Sequence, residues 1–230
     1  MKMKKAKMLV ISLRARARKV YRFFDDLFHF TIRTTFGLLI IERFLVYVRT
    51  MNKPITISKP RVEVTIRKAT LTDMHRFVES MPWMVPSDIK LYSRRLKNSR
   101  ICFIALDKER IVSYSWLSFE FSRLLDGSDL HPPVMLRCGW AYGYDAYTLP
   151  EYRRAGLARA LSNSKLEYCR KKGYERAVSL VSERNIASRR MVEKGGARPF
   201  KKIKFIKIFG FQRWRYENIN ETLFAQKEKS

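Results

Sequence analysis

The chain has few of the residues that hold metals or form disulfides. Its three cysteines, Cys102, Cys138 and Cys169, lie far apart without a C-x-x-C spacing, and the whole chain contains three histidines. A disulfide framework or a zinc cluster needs several such residues at close spacing. We therefore expect reduced thiols, no metal and a cytoplasmic location.

Long apolar runs are also missing. The opening lysines are followed by MLVISL, which is too short for a signal peptide and has no small-residue cleavage site after it. A second run, FGLLIIERFLVYV over 36–48, is shorter than the roughly 20 residues that cross a bilayer and contains Glu42 and Arg43. Secretion is not expected, and the second run either lies on a membrane or folds back on the domain.

Acidic residues are scarce relative to basic ones. The 230 residues include 48 Lys and Arg against 21 Asp and Glu, a net charge of +27, while 46% of the residues are apolar, as in folded proteins. A surface of this charge favours phosphates, anionic lipid and acidic ligands without choosing among them.

The first fifty residues differ from the rest. Twelve are basic and three are acidic, so the local net charge is 12 − 3 = +9. Polar residues recur every three or four positions between 19 and 33, which predicts an amphipathic helix. We expect 1–50 to be a basic helical extension that binds the inner face of an anionic membrane or packs on the domain or on a second copy in a homodimer.

The later sequence predicts one compact domain. Residues 51–61 indicate a linker, 62–216 the domain and 217–230 a polar tail. Within the domain the order is a strand, two helices, three strands, a helix, a strand, a helix and two strands, with Thr70 and Asp73 as a capping box and Asn185 as a helix cap. Only the strands flanking the helix after Gly156 can be parallel. The prediction is a mixed α/β fold, mostly antiparallel with a central parallel pair and helices on both faces.

The stretch YTLPEYRRAGLARALSNSK, residues 147–165, indicates an anion site. A strand ends at Pro150, and an R-x-x-G-x-A turn leads from Arg153 into a helix. Backbone N–H groups at the positive end of a helix dipole bind phosphate, and Gly156 lets the backbone approach a ligand closely. The alternative is an ordinary solvated helix start.

In its context this turn resembles that of the GNAT superfamily of N-acetyltransferases. It follows a long strand and begins a helix of about 17 residues. A second strand follows this helix and leads to Asn185 and Ser188. The resemblance covers about 62–216. YTLPEYR also looks like a subset of the family associated with bacterial envelope and polysaccharide enzymes, some of which carry a basic N-terminal extension.

The resemblance implies acetyl-CoA as co-substrate and transfer of its acetyl group to an amine, in a small molecule or a sugar. The turn would bind the pyrophosphate, the parallel strands would splay apart, and the pantetheine would pair with free backbone and border the next helix. The implied cofactor-binding residues are Tyr147, Thr148, Leu149, Arg153, Arg154, Ala155, Gly156, Leu157, Ala158, Asn185 and Ser188.

The base that accepts the amine proton is predicted from strand alternation. Alternation places Asp145 and Tyr147 on one face and Tyr144 on the other, and Asp145 is the only carboxylate in the strand. We name Asp145 first, with Glu120 and Glu183 behind it. The alternative for Asp145 is a structural carboxylate bonded to a nearby Tyr or Arg, and that for the two glutamates is a surface acid.

The sequence offers several candidates for the group that protonates the departing thiolate. Many family members place a Tyr seven residues after the capping Asn, where this chain has Val192. Tyr144, Tyr147 or water could substitute, or the domain binds CoA with little turnover as a membrane-bound scaffold. A nucleic-acid-binding module is a further alternative, because the hairpin from Arg198 to Arg215 holds seven basic residues and no acid, but no recognised nucleic-acid motif is present.

Overall fold

A computed structural model describes residues 39–57, 59–81, 83–119, 137–208 and 211–219. These ranges contain eight strands: β1 (Leu39–Thr50), β2 (Thr65–Lys68), β3 (Ile101–Asp107), β4 (Arg110–Ser118), β5 (Trp140–Thr148), β6 (Arg176–Ser182), β7 (Arg198–Ile208) and β8 (Phe211–Asn218). Four α-helices accompany them: α1 (Met74–Ser80), α2 (Pro86–Lys97), α3 (Leu157–Lys171) and α4 (Ile186–Lys194).

All eight strands belong to one sheet in the order β2-β3-β4-β5-β6-β1-β7-β8. Strands β5 and β6 are parallel, and every other neighbouring pair is antiparallel. The connection between β5 and β6 runs through α3, which is long enough to return the chain to the same edge. The predicted mixed α/β class with a central parallel pair is confirmed.

Strand β1 departs from the predicted helical extension over 1–50. Residues 39–50 pair with β6 on one side and with β7 on the other, so they lie within the sheet. Val46, Tyr47 and Val48 are almost fully buried. The run of β-branched and aromatic residues therefore folds back on the domain, the second of the two options that the sequence left open. The domain begins at or before residue 39.

Other expectations fall outside the described residues. These are the amphipathic helix over 19–33, its membrane or subunit contact, Glu120 and most of the tail over 217–230. The first residues of that predicted tail belong to β8, which extends to Asn218. In the predicted linker, residues 51–57 and 59–61 contain no helix or strand.

The helices cover both faces of the sheet. Phe77 of α1 and Tyr92 of α2 contact the ring of Tyr114 on β4. Lys165 of α3 bonds to Ser115, the next residue of β4, which points to the opposite face. The two faces are named below the α2 face and the α3 face.

The capping box at the start of the first helix is present, and it is tied to a buried ion pair. Asp73 has no exposed surface and accepts the Thr70 backbone N–H at 2.8 Å. Its carboxylate also pairs with Arg67, at 2.7 Å for each oxygen, and with Arg76 at 3.0 Å. These bonds, first of all those from Arg67, hold the pKa of Asp73 well below its usual range. The network fastens α1 to β2.

We expect Asp73→Asn to lower the free energy of unfolding by about 3 kcal/mol, because it removes a buried carboxylate that pairs with both Arg67 and Arg76. Glu109→Gln is the matched control, since Glu109 also pairs with Arg76 but its side chain is 81% exposed. Urea denaturation measures both. In the parent protein the Asp73 contribution is complete above its unfolded pKa of about 4 and is lost as the pH falls further. A pH dependence equal in parent and Asp73→Asn would contradict this assignment.

Candidate functional site

The parallel strands β5 and β6 separate halfway along the sheet. They pair from Trp140 and Arg176 as far as Gly143 and Ser179. Beyond that point β5 pairs only with β4, and β6 pairs only with β1. A wedge-shaped gap therefore opens between the carboxyl-terminal halves of β5 and β6, as the family resemblance implied.

The gap exposes backbone groups of β5. The Leu149 N–H donates to the Val112 carbonyl of β4 at 2.9 Å. Because N–H and C=O groups alternate sides along a strand, Tyr147 also bonds towards β4, while Ala146 and Thr148 direct theirs into the gap. Of the three residues expected to pair with pantetheine, only Thr148 directs its backbone groups into the gap, and Ala146 does so as well.

The turn before α3 has the geometry of an anion site. Gly156 is left-handed, with φ +85°, and Arg154 before it has φ +65°. The first N–H groups of α3 follow directly, and the opening N–H groups of a helix have no partner within the helix. The Ala155 carbonyl accepts the Arg61 N–H at 2.8 Å, and this hydrogen bond connects the turn to the segment before β2.

The charged side chains of the turn are available to a ligand. Arg153 and Arg154 are exposed, and neither forms an ion pair within the described part of the chain. Arg153 makes a 3.4 Å contact from Nε to the Thr148 carbonyl, and its guanidinium lies 5.9 Å from the ring centre of Tyr147. Two guanidinium groups beside free backbone N–H groups suit a diphosphate.

The helix α4 begins as predicted on the far side of the gap. The Asn185 side chain accepts the Ser188 backbone N–H at 3.0 Å and so caps the helix. Val192 packs against Leu45 and Tyr47 of β1. The position of the family's usual tyrosine is therefore filled by an apolar contact between α4 and β1.

A β-bulge lies at Asp145, beside the gap. The β4–β5 register pairs Ser115 with Ala146 and Trp116 with Tyr144, which leaves Asp145 as an extra residue, with φ +42°. The bulge reverses the alternation, so the prediction that Tyr144 and Tyr147 point to opposite faces is wrong. Both lie on the α2 face, where Tyr144 contacts Trp116 and Tyr147 contacts Tyr114.

The Asp145 carboxylate is engaged on the α2 face. It forms an ion pair with Arg95 and lies 3.3 Å from the Tyr92 hydroxyl. The Arg95 guanidinium is 5.1 Å from the ring centres of Tyr92, Trp116 and Tyr144, and its side chain is 5% exposed. These contacts favour the structural alternative for Asp145, although its side chain keeps 31% exposure.

Glu183, the third candidate base, is also engaged. It forms a 2.9 Å ion pair with Lys202 on β7, and this bond lowers the pKa of its carboxyl. Arg43 is a second, more distant cation at 3.8 Å. A carboxylate held in its charged form by cations is a weak base.

The structure adds one residue that the sequence reasoning missed. Lys165 lies on the buried side of α3, at four-residue spacing after Leu157 and Leu161 and before Cys169. Its Nζ donates to Ser115 Oγ at 2.6 Å and lies 3.0 Å from the point that a Cβ on Gly143 would occupy. A lysine within an apolar stripe of a helix was the available signal.

Neither a metal-binding cluster nor a membrane-spanning helix is found among the described residues. No group of three or more His, Cys, Asp and Glu side chains is arranged there to hold a metal ion. None of the helices in those ranges is both long and apolar enough to span a membrane.

Comparison with protein families matches residues 68–197 to the acetyltransferase (GNAT) family, which is more than half of the chain. The chain belongs to the GNAT acetyltransferase family. The match runs from the last residue of β2 to just beyond α4, and so includes the gap, the Gly156 turn and the Asn185 cap. A search of curated proteins gave no match.

Solved structures share the fold at low identity. A GNAT-family acetyltransferase from Novosphingobium aromaticivorans is 16% identical, with a TM-score of 0.50 over 71% of this chain and 62% of that one. A GCN5-related N-acetyltransferase from Sphaerobacter thermophilus is 12% identical, with a TM-score of 0.53 over 78% and 52%. This chain spans about half to three-fifths of the length of these structures, and the likeness concerns the fold alone.

We expect Gly156→Ala to weaken binding of coenzyme A at least tenfold, because a Cβ at φ +85° shifts the backbone that presents the N–H groups. Gly173→Ala is the matched control, since Gly173 has φ +77° at the other end of α3 with open space around it. Titration calorimetry measures both variants. Equal affinities in the two would show that the turn does not bind the cofactor.

Proposed function

We propose that the protein is an N-acyltransferase that moves an acetyl group from acetyl-CoA to an amine by direct attack on the thioester. The gap between β5 and β6, with the Gly156 turn at one end, is the observation that supports this proposal. An anion site joined to a row of free strand backbone suits a ligand with a diphosphate and an amide-bearing arm.

The cofactor residues follow from this placement. The N–H groups of Gly156, Leu157 and Ala158, with the side chains of Arg153 and Arg154, would hold the diphosphate. Ala146 and Thr148 would pair with the amides of the pantetheine arm, and the capped start of α4 with Asn185 and Ser188 would border its other side. The arm then directs the thioester towards Gly143, where the gap closes.

Acyl transfer at that point needs three aids. The amine must be neutral, the thioester carbonyl must be polarised, and the departing sulfur must be stabilised. Backbone N–H groups around the Asp145 bulge are the candidates for polarising the carbonyl, since they lie beside the gap in fixed positions.

The acceptor would approach from the α2 face. This side of the gap carries Tyr144, Tyr147 and the partly exposed carboxylate of Asp145. Trp83 lies on Tyr147 with ring centres 4.7 Å apart. An aromatic surface with one carboxylate suits an acceptor with an apolar or sugar body and a positive amine. Acceptors of this kind agree with the resemblance to the envelope and polysaccharide subset. The proposed acceptor class is inferred from the aromatic surface and its carboxylate.

A panel of amines tests the proposal. The protein is incubated with acetyl-CoA and polyamines, amino sugars, aminoglycosides or peptides, and the released CoA thiol is measured together with the mass of the product. We expect amine-dependent CoA release with a matching acetylated product, at least tenfold slower in Gly156→Ala at subsaturating acetyl-CoA. Acetyl-CoA binding without turnover on any amine would favour the binding scaffold instead.

A separate experiment assigns Asp145. We expect Asp145→Asn to lower the free energy of unfolding by about 3 kcal/mol, because the buried Arg95 loses its ion pair with this carboxylate. Double substitution with Arg95→Met should recover part of that loss, which urea denaturation would measure. If Asp145 is instead the base, the variant keeps its stability and loses the acidic limb of the pH dependence of kcat/KM.

A further inference from the structure

Lys165 is placed where the gap between β5 and β6 closes. Its ammonium lies between Ser115, which is opposite Ala146 in the β4–β5 register, and Gly143, the last residue of β5 that pairs with β6. The Ser179 hydroxyl of β6 is 3.7 Å from the same Gly143 point. The ammonium is therefore on the α3 face, at the closed end of the gap. Under the proposed function, the thioester would lie at this end.

This ammonium has no negative partner among the described residues. Its one hydrogen bond there is to the neutral Ser115 hydroxyl. Burial lowers the pKa of the Lys165 ammonium to about 8. A half-buried ammonium without an anion is unfavourable, and an apolar residue of similar length would pack at that position without this penalty.

The nearest titratable groups do not supply the missing charge. They are the thiols of Cys102 on β3 and Cys169 on α3. Burial raises the pKa of Cys169 to about 12 and that of Cys102 well above its usual value, so both are neutral at physiological pH. Asp145 points to the other face and is paired with Arg95. Among the described residues, then, none places a negative charge beside Lys165, and a bound CoA thiolate would supply one.

We infer that Lys165 is a catalytic residue that stabilises and protonates the CoA thiolate as it leaves. This inference rests on the proposed acyl transfer. The α3 face that carries Lys165 also carries α4, whose Val192 stands where the family's tyrosine would be. The lysine reaches the base of the gap from the neighbouring helix.

Tyr47 is the competing proton donor. It lies on β1, packs against Val192 and is opposite Ser179 in the β1–β6 register. Its hydroxyl donates to Glu193 Oε1 at 2.6 Å, and burial followed by that bond raises its pKa. A hydroxyl held by a carboxylate and resistant to ionisation is a poor proton donor near neutral pH, whereas an ammonium with a pKa of about 8 is a suitable one.

The proton balance is complete without another reactant. The amine nitrogen forms a bond to the acetyl carbon, and the carbon–sulfur bond breaks with its electron pair on sulfur. One Nζ proton of Lys165 moves to that sulfur and gives the CoA thiol. The neutral Lys165 amine regains a proton from water before the next turnover, while the product nitrogen releases its own proton to solvent or to a base on the α2 face.

The test measures the pKa of the thiol in bound CoA from the ultraviolet absorbance of the thiolate during a pH titration. We expect this pKa to lie about 1 to 3 below that of free CoA in the parent protein, because a cation lies next to the sulfur. Lys165→Met should abolish the shift, and its kcat should fall at least a hundredfold while its affinity for desulfo-CoA is unchanged. The empty Lys165→Met protein should melt at the same or a higher temperature.

Two further variants control the result. Lys172→Met removes an exposed lysine at the end of the same helix and should leave the thiol pKa unchanged. Gly143→Ala places a methyl group 3.0 Å from the ammonium and should displace it, which should reduce the shift although the lysine is still present.

The outcomes separate the two proposals. No binding of CoA to the parent protein would overturn the proposed function. Binding with an unshifted thiol pKa, or with the same shift in Lys165→Met, would overturn the role of Lys165 alone. Acetylation of Lys165 itself during turnover, seen by mass spectrometry, would also overturn it, since the residue would then act as a nucleophile.

Discussion

The divergence of two parallel strands is the constraint on which the site depends. Past Gly143, β5 is held by β4 through the bulge at Asp145, and past Ser179, β6 is held by β1. Each strand satisfies its backbone on its outer side, so the groups facing the gap are left for a ligand. The gap is therefore maintained by the β4–β5 and β6–β1 pairings on either side of it, and the Gly156 turn lies at its open end.

Strand β1 gives the amino-terminal sequence a direct part in this arrangement. It pairs with β6 along seven residues and with β7 on its other edge, and Tyr47 bonds to Glu193 on α4. Arg49 bonds to the Gly195 carbonyl just beyond that helix. The sheet beyond β6 and the helix bordering the gap are thus held by a segment that precedes the family match in the chain.

Charge is distributed unevenly around the gap. The carboxylates near it are already paired, Asp145 with Arg95 and Glu183 with Lys202. The cations Arg153, Arg154 and Lys165 have no acidic partner within the described ranges. A ligand that carries a diphosphate at one end and becomes negative at its sulfur during reaction complements both groups of cations, which connects the anion site to the proposed chemistry.

The sequence by itself determined the features that depend on short-range geometry. Helix starts and the turn follow from a few neighbouring residues, so the Asp73 capping box, the Asn185 cap and the glycine turn at Gly156 could all be predicted. The order of the elements and the parallel pair also followed, because connection length limits how two strands can pair.

Only the tertiary structure decided what depends on distant partners. Residues 39–50 have an apolar pattern that suits a membrane surface or a sheet, and pairing with β6 and β7 made them a strand. The Asp145 bulge is a mismatch between two strands, so it cannot be found in either alone, yet it moves Tyr144 and Tyr147 to one face. Lys165 reads as a surface lysine until α3 packs on the sheet, since burial and electrostatic environment are properties of the assembled fold.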